Sequence, residues 1–220
     1  MTQPIPCNEN TCAVVVTHQP SRDFASKFLE SRKQFRYFVI VDNASDDAEK
    51  QMLCDLSDGD YVKLIRNPQN LGVAVALNQA VALASTRNFK WLVTFDQDSR
   101  LLPDVLQTLT HVYSAAGDSR TLVGINYWSC NKNSFFLACA SSTVVFKRRK
   151  TLITSGMLIS LETFGEIGGF REDYFIDSVD HEFCLRARSR GYQVLITCKP
   201  GMSHSIGSTR LNASWLRRKL

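Results

Sequence analysis

The sequence lacks the glycine-rich motifs of the two best-known classes of nucleotide-binding protein. It contains no Gly-x-Gly-x-x-Gly, which argues against a dinucleotide cofactor, and no Gly-x-x-x-x-Gly-Lys-Ser/Thr, which argues against a P-loop. No apolar run is long enough to span a bilayer. Residues 1–10 have neither a basic patch nor an apolar core, so we expect no signal peptide.

Paired cysteine motifs are also absent. The seven cysteines are an odd number, none lies in a Cys-x-x-Cys pair, and several sit inside apolar runs. This pattern favours reduced, buried thiols over a disulfide framework or a zinc site. We therefore expect a cytosolic protein.

The composition is that of an ordinary globular chain. With 220 residues, of which 44% are hydrophobic and 21% charged, we expect residues 1–220 to form one domain. The net charge of +5 is unevenly placed, with basic runs at 147–150 (KRRK) and 217–219 (RRK). Such runs can contact anionic lipid headgroups, nucleic acid or phosphorylated substrates, or they are simply a solvated loop and tail.

Short apolar segments alternate with helical patterns in the first half. Residues 11–17, 37–41, 61–65 and 91–95 are typical of buried strands, and helical spacing follows each of the first three. This order predicts a largely parallel sheet with right-handed crossovers. The helix over 73–85 should be buried because it is apolar nearly all round, and Pro103 should lie in the first turn of the next helix.

The second half has weaker patterns. We expect a strand at 121–125, extended stretches over 135–150, and a strand over 151–161 that is interrupted at 155–156. A short helix should end at the glycine pair 168–169, and a further helix should bury Val179, Phe183 and Ala187. The last clear strand is predicted at 192–196, and residues 204–208 should form a polar loop.

Two carboxylates follow the fourth predicted strand. Asp96 and Asp98 are separated by one residue, so in an extended segment their side chains point to the same side. Ligands of open α/β sheets bind beyond the carboxyl ends of the strands. Neighbouring carboxylates repel unless a cation or a proton lies between them, which indicates a metal–diphosphate site. The alternative is a simple turn, since Asp and Ser are frequent after strands.

Other polar residues lie at neighbouring strand ends. Asp42 could accept hydrogen bonds from a pyrimidine N–H or a ribose hydroxyl, or it could cap the next helix. Asn70 and Gly72 mark the entrance to the helix over 73–85. A glycine at this position lets a phosphate approach the backbone closely, although it is also a common way to begin a helix.

Taken together, several stretches resemble the GT-A glycosyltransferases, specifically family 2 and its bacterial rhamnosyltransferase-like branch. They occur in the family's order and extend from about residue 11 to residue 208. The stretches are VVVT at 14–17, VIVDN at 39–43, NLGVA at 70–74, FDQDS at 95–99, ITSG at 153–156, IGGF at 167–170 with Asp173, FIDSVDHEFCLR at 175–186, and HSIGS at 204–208. The resemblance implies a GT-A fold, a Rossmann-like mixed and mainly parallel sheet flanked by helices.

The resemblance also implies roles on the donor side. Asp42 resembles the aspartate that contacts the nucleoside base, and Asn70 and Gly72 belong to a stretch assigned to the nucleotide-sugar. Asp96 and Asp98 resemble the metal–diphosphate motif, with Asp98 the more direct ligand of Mn²⁺ or Mg²⁺. His204 is similar to the histidine that completes the metal shell in some relatives. The donor is expected to be a dTDP- or UDP-sugar.

On the acceptor side, Asp180 falls where the family places its general base. Glu182 is similar to a neighbouring acidic position that assists acceptor binding, and Asp177 and Gly156 are assigned to the same side. As alternatives, Asp180 caps its helix and His204 is a structural histidine.

The resemblance therefore implies inverting, metal-dependent transfer of a sugar, with L-rhamnose from dTDP-rhamnose as the leading donor. The acceptor would be a surface polysaccharide or a lipid-linked glycan, and the enzyme would contact the inner membrane face peripherally. The alternatives are an inactive nucleotide- or glycan-binding module and a sugar-nucleotide nucleotidyltransferase. The latter needs a glycine- and arginine-rich loop where this chain has His18-Gln19-Pro20. No aromatic platform accompanies the basic runs, so we expect no nucleic acid partner.

Family members usually continue beyond the histidine loop with further helices that complete the acceptor side or meet the membrane. The chain is therefore expected to be a short member or part of a longer protein. Trp215, Leu216 and the basic residues after them would begin such a helix.

Overall fold

The computed structural model describes residues 3–139 and 144–204, which form one mixed sheet with helices on both faces. The strands are β1 (Thr11–Thr17), β2 (Tyr37–Asn43), β3 (Val62–Asn67), β4 (Trp91–Asp96), β5 (Arg100–Leu101), β6 (Thr121–Ser129), β7 (Ser134–Phe135), β8 (Phe146–Arg148), β9 (Met157–Ser160) and β10 (Gln193–His204). The helices are α1 (Phe24–Arg32), α2 (Asp47–Leu56), α3 (Val73–Thr86), α4 (Val105–Ala116), α5 (Leu161–Ile167) and α6 (Val179–Ser189).

The sheet has the strand order β3-β2-β1-β4-β9-β6-β10-β5, with β7 beside β6 and β8 beside β10. The ladders joining β3, β2, β1 and β4 are all parallel, which confirms the parallel sheet predicted for the first half. β9 is antiparallel to both β4 and β6, while β6 and β10 are parallel to each other. The carboxyl ends of β1, β2 and β4 consequently meet at one edge of the sheet.

The core is divided into two layers by the alternation of side chains along the strands. In β1, Cys12 and Val14 point into the layer that contains α3 and α6, whereas Ala13 and Val15 point into the layer that contains α1 and α4. Both faces of β1 are therefore buried, as its short, apolar and β-branched sequence predicted. On α6, the predicted stripe of Val179, Phe183 and Ala187 is indeed buried.

The second half departs from the prediction at several element boundaries. The strand expected over 151–161 is reduced to β9, because the chain turns at Gly156 before pairing with β4. The last strand does not stop at Ile196. β10 continues to His204 through register shifts around Pro200, so His204 lies at a strand end rather than in a loop.

The helix after Pro103 begins later than predicted. α4 starts at Val105, and the residue before it, Asp104, has a left-handed backbone with φ of 65°. Pro103 therefore precedes the helix instead of lying in its first turn.

The expectation of reduced, buried thiols was wrong for most of the cysteines. Cys139 and Cys198 form a disulfide that joins the segment after β7 to β10. Among the free cysteines, Cys12 and Cys184 are buried, but Cys7, Cys54 and Cys130 are exposed. The local spacing of cysteines in the sequence does not predict this disulfide, because 59 residues separate its two members.

Several predictions concern residues outside the described part of the chain, namely the polar loop beyond His204, Trp215, Leu216 and the basic run at 217–219. Among the helices of residues 3–139 and 144–204, none is long and apolar enough to cross a membrane.

Candidate active site

Three potential metal ligands converge where β4 and β10 end. The ligating atoms of Asp96, Asp98 and His204 all lie within 4.8 Å of one another. The Nε2 atom of His204 is 3.9 Å from Oδ2 of Asp96, and its Nδ1 atom is 3.4 Å from Oδ1 of Asp98. Ligands held about 2.1 Å from one ion are roughly 3 Å apart at right angles and about 4.2 Å apart on opposite sides. One oxygen from each aspartate and a single ring nitrogen of His204, all within 4.8 Å of one another, therefore fit one divalent cation.

Two serines support this group of ligands. Ser99 Oγ lies 3.2 Å from Nδ1 of His204 and 2.6 Å from Oγ of Ser155. Ser155 Oγ in turn accepts a hydrogen bond from the backbone N–H of Asp96, at 3.2 Å. These contacts connect the end of β4 to the end of β10 through the turn before β9. Sequence reasoning assigned the serines no role, because their partners are distant in the chain.

The charges around Asp96 are poorly balanced. Burial, together with the negative charges of Asp98 and Asp180, raises the pKa of Asp96 from 3.8 to about 7. Burial lowers the pKa of His204, although the charge of Asp98 partly opposes this shift. A neutral imidazole next to crowded carboxylates is the protonation state that binds a divalent cation.

The ligand group lies in a cavity of about 580 Å³, a volume within the range of roughly 300–1,000 Å³ that is common for small-molecule sites. Its lining combines strand ends, the start of α3 and the segment before α6. The described lining residues are Val16, Thr17, His18, Asn43, Asn70, Val73, Asp96, Gln97, Asp98, Tyr127, Ile153, Thr154, Ile176, Asp177, Asp180 and His204. Four of them are aspartates, and none of these described residues is a lysine or an arginine.

Asp180 lines the cavity from the first turn of α6. Its Oδ2 atom accepts a hydrogen bond from the N–H of Thr154 at 3.1 Å, and its Oδ1 atom accepts one from the N–H of His181 at 2.7 Å. With a side chain 18% exposed, Asp180 is fixed but remains accessible from the cavity. Asp177 lines the same cavity from an exposed position.

The structure does not bring Glu182 or Gly156 into the cavity lining. The carboxylate of Glu182 is paired with Arg186 at 2.8 Å, and Arg186 also donates to backbone carbonyls at the end of α5. Gly156 has φ of +77°, and a Cβ there would lie 2.1 Å from the side chain of Ile125. Both residues therefore have clear structural roles, one binding α6 to α5 and the other allowing the turn into β9.

Asp42 lies behind the cavity wall rather than in it. Its side chain is fully buried, and its carboxylate accepts hydrogen bonds from Thr17 Oγ1 at 3.1 Å and from the N–H and hydroxyl of Ser45. Arg66 forms an ion pair with it at 3.4 Å. The following residue, Asn43, lines the cavity instead. In this structure the Asp42 carboxylate therefore links the end of β2 to the end of β1 and to the turn that follows β2.

The entrance to α3 is occupied by protein contacts. Asn70 lines the cavity, and its Oδ1 atom accepts the N–H of Gly72 at 3.0 Å. Gly72 has φ of +86°, and a Cβ there would lie 2.5 Å from the carbonyl oxygen of Phe175. The same carbonyl accepts the N–H of Val73 at 2.7 Å. The first helical N–H of α3 therefore binds the segment before α6 and is not free for a phosphate.

A link between the Asp-x-Asp motif and the end of β1 was not predicted from the sequence. The Gln97 side chain accepts from the N–H of His18 at 2.8 Å and donates to the carbonyl of His18 at 3.1 Å. The Nδ1 atom of His18 lies 2.7 Å from the carbonyl oxygen of Asn43. Gln97 and His18 thus connect the ends of β4, β1 and β2 along one wall of the cavity.

Comparison with solved structures identifies the fold. A crystal structure of GalNAc-T7 with UDP, GalNAc and Mn²⁺ superposes with a TM-score of 0.69 at 16% identity, covering 89% of this chain and 44% of that one. A crystal structure of TarS from S. aureus gives a TM-score of 0.67 at 14% identity, covering 90% and 37%. The chain spans less than half the length of either structure. These likenesses confirm the predicted GT-A fold.

Comparison of sequences identifies the family. The dTDP-rhamnosyl transferase RfbF of Shigella flexneri is 29% identical over an alignment of 214 residues, which covers 91% of this chain and 70% of that protein. The model of the family described as "Glycosyl transferase family 2" matches residues 14–175. Because that match covers most of its length, the chain belongs to glycosyl transferase family 2 and is a glycosyltransferase, as its motifs predicted.

Proposed function

We propose that this glycosyltransferase moves a sugar from a nucleoside diphosphate to a glycan with inversion at the anomeric carbon. The observation that carries the proposal is the arrangement of the cavity. Asp96, Asp98 and His204 form a cation-binding group, and Asp180 is held in the same cavity by two backbone N–H groups.

The charge of the cavity supports metal dependence. A nucleotide-sugar carries a negative diphosphate, whereas the described lining contributes four aspartates and no lysine or arginine. Binding such a donor requires a positive charge, and a hard divalent cation held by Asp96, Asp98 and His204 would supply it. When bound, Mn²⁺ or Mg²⁺ would stabilise the charge that develops on the departing diphosphate.

Asp180 is suited to act as the general base. Its two backbone hydrogen bonds fix the carboxylate, which can accept the proton of an acceptor hydroxyl during attack. The new bond forms between the acceptor oxygen and the anomeric carbon as the bond from that carbon to the diphosphate oxygen breaks. Attack from the side opposite the diphosphate inverts the anomeric centre, and no enzyme nucleophile is needed.

We infer that dTDP-rhamnose is the leading donor, because the relative in Shigella flexneri is a dTDP-rhamnosyl transferase. The acceptor proposed here is a surface polysaccharide or a lipid-linked glycan. In the latter case the exposed basic side chains Arg148 and Lys150 would meet anionic lipid headgroups at the inner membrane face.

The test measures the melting temperature with dTDP or UDP, with and without Mn²⁺ or Mg²⁺, together with transfer from the corresponding nucleotide-sugars. A ligand that binds only the folded state raises the melting temperature by mass action. We expect a shift that needs both nucleotide and metal, and the preferred nucleotide will narrow the choice of donor.

Two isosteric variants separate the proposed roles. Asp98→Asn should lose the metal-dependent shift because a metal ligand is removed. Asp180→Asn should keep the shift while turnover falls by about 10²–10⁴-fold, the range typical of a lost general base. If the parent protein shows no shift with any nucleotide and metal, or if Asp180→Asn retains full turnover, the proposed mechanism is wrong.

A further inference from the structure

A smaller cavity adjoins the catalytic one. It has a volume of about 190 Å³, and Tyr127 and Ile153 line both cavities. Sites for complete small molecules commonly measure roughly 300–1,000 Å³. The smaller cavity therefore has room for one group of a ligand whose main part lies in the larger cavity.

The charge of the smaller cavity is opposite to that of the larger one. Its described lining contains Arg149 and His181 and no carboxylate, whereas four aspartates line the neighbouring cavity. Arg149 forms no ion pair with any residue that the structure describes, and its side chain is exposed. Among the described residues no carboxylate neutralises this guanidinium, which lies beside the catalytic cavity.

Aromatic rings hold this guanidinium in place. Cζ of Arg149 lies 5.2 Å from the centre of the Phe136 ring, in a cation–π contact. Phe136 stacks on Tyr127 with a centroid distance of 4.9 Å, and Tyr127 meets the ring of His204 edge-on at 5.7 Å. The backbone N–H of Arg149 donates to Val194 of β10 at 2.8 Å. The charge therefore has a defined position relative to the cation-binding group.

The smaller cavity also lies on the acceptor side of the proposed reaction. His181 lines it, and the preceding residue, Asp180, is the proposed base for the acceptor hydroxyl. A glycan with one hydroxyl at Asp180 can place a neighbouring substituent beside His181 and Arg149. We propose that Arg149, together with His181, binds an anionic group, a phosphate or a carboxylate, on the acceptor glycan. This inference rests on the proposed function, since it takes Asp180 as the acceptor side.

The test uses metal-free protein in EDTA without donor, so that the cation-binding group cannot capture the probes. Binding of glucose 1-phosphate, glucuronate and glucose is followed by NMR titration. Arg149→Gln is the test variant and Arg148→Gln is the matched control, because successive side chains of an extended segment point to opposite faces. Arg149→Lys retains the charge without the fork of hydrogen-bond donors.

We expect at least one of the two anionic sugars to bind the parent, and the preferred probe distinguishes phosphate from carboxylate. Arg149→Gln should weaken that binding by about tenfold or more, as expected for the loss of a charge-assisted hydrogen bond. Arg149→Lys should weaken it less, and Arg148→Gln should leave it unchanged. The metal-dependent nucleotide shift should persist in Arg149→Gln, which shows that the variant is folded.

The inference is overturned if neither anionic sugar binds, if glucose binds equally well, or if Arg148→Gln and Arg149→Gln lose the same affinity. Its failure is distinct from failure of the proposed function. Failure of the inference would appear in the NMR titrations with anionic sugars without metal. Failure of the proposed function would appear in the melting temperature of the parent protein with nucleotide and metal.

Discussion

At the scale of single residues, the negative charge of Asp96 suits cation binding but destabilises the folded protein when no cation is bound. Its side chain is 38% exposed at the floor of the cavity, yet protein and two other carboxylates surround it. Without a cation, ionising this group places a third negative charge beside Asp98 and Asp180. The metal-free protein therefore carries an electrostatic cost that a divalent cation would remove.

This cost predicts a specific dependence of stability on pH. The pKa of Asp96 is about 7 in the folded protein and 3.8 in the unfolded reference. Between these values the folded state binds more protons than the unfolded state, so its contribution to the free energy of unfolding falls as pH rises. Asparagine does not titrate in this range. In the metal-free protein, the free energy of unfolding of Asp96→Asn relative to the parent should therefore increase between about pH 4 and pH 7.

Urea unfolding in EDTA, near pH 5 and near pH 8, measures the difference between parent and variant. Asp177→Asn, which removes an exposed carboxylate at the rim of the same cavity, is the control. A difference between Asp96→Asn and the parent that does not grow with pH would contradict the expectation.

The predictability of the site also differs from residue to residue. Asp96 and Asp98 could be found because the period of two along a strand places both side chains on one side. Gln97, Ser99 and Ser155 could not, because their partners are set by tertiary contacts with His18 and His204. Those partners lie far away in the chain, and no local pattern encodes them.

At the scale of elements, the disulfide connects two parts of the second half that differ in regularity. Cys198 lies in β10, next to the register shift at Pro200, and Cys139 follows the two-residue strand β7. The bridge therefore ties an irregular segment to the long strand that ends at His204. Because it closes a long loop, it should restrict the unfolded chain strongly.

We expect Cys139→Ser/Cys198→Ser to be less stable than the parent. For a separation of 59 residues, the chain-entropy model gives a loss of about 4 kcal/mol. A chain of this size loses about 2–4 °C in melting temperature per kcal/mol. Thermal unfolding with and without dithiothreitol measures the effect.

The parent should be sensitive to the reductant, and the double variant should not be. Cys54→Ser, which replaces an exposed free thiol, should behave like the parent. Equal effects of dithiothreitol on the parent and on the double variant would show that the bridge does not contribute.

Elements of the first half were predictable because the predicted strands are mainly apolar and helical spacing follows each of the first three. The predicted strand at 11–17 and the observed β1 have the same bounds, and α3 differs from its prediction by one residue. Strands β5, β7 and β8 have two or three residues each. Their sequences carry too little periodicity, and only their pairing with β6 or β10 defines them.

At the scale of the whole molecule, the cavity is assembled at one end of the sheet. Its walls come from the ends of β1, β2, β4 and β10, and the link of Gln97 to His18 joins two of them. Ligand binding should therefore stabilise this end selectively, because the connections at the opposite end make no contact with the cavity.

Hydrogen exchange with Mn²⁺ and the preferred nucleotide tests that expectation. Amides of residues 17–19, 43–46 and 97–99, at the carboxyl ends, should exchange more slowly in the presence of the ligands. Amides of residues 57–61, which precede β3 at the other end, should exchange at the same rate and serve as the internal control. Equal protection at both ends would contradict a localised site.

The fold class was predictable at this scale because order and periodicity determine the topology. The presence of a smaller cavity with Arg149 beside the cavity lined by aspartates was not predictable, since Arg149 is placed over Phe136 by the pairing of β8 with β10.

The position of His204 at the end of β10 has a consequence for synthesis on the ribosome. Asp96 and Asp98 emerge when less than half of the chain has been made, but their third partner follows 106 residues after Asp98. A nascent chain lacks the complete cation-binding group until β10 has emerged and paired with β6. Under the proposed function, a chain would acquire its complete metal-binding group only after β10 has paired with β6.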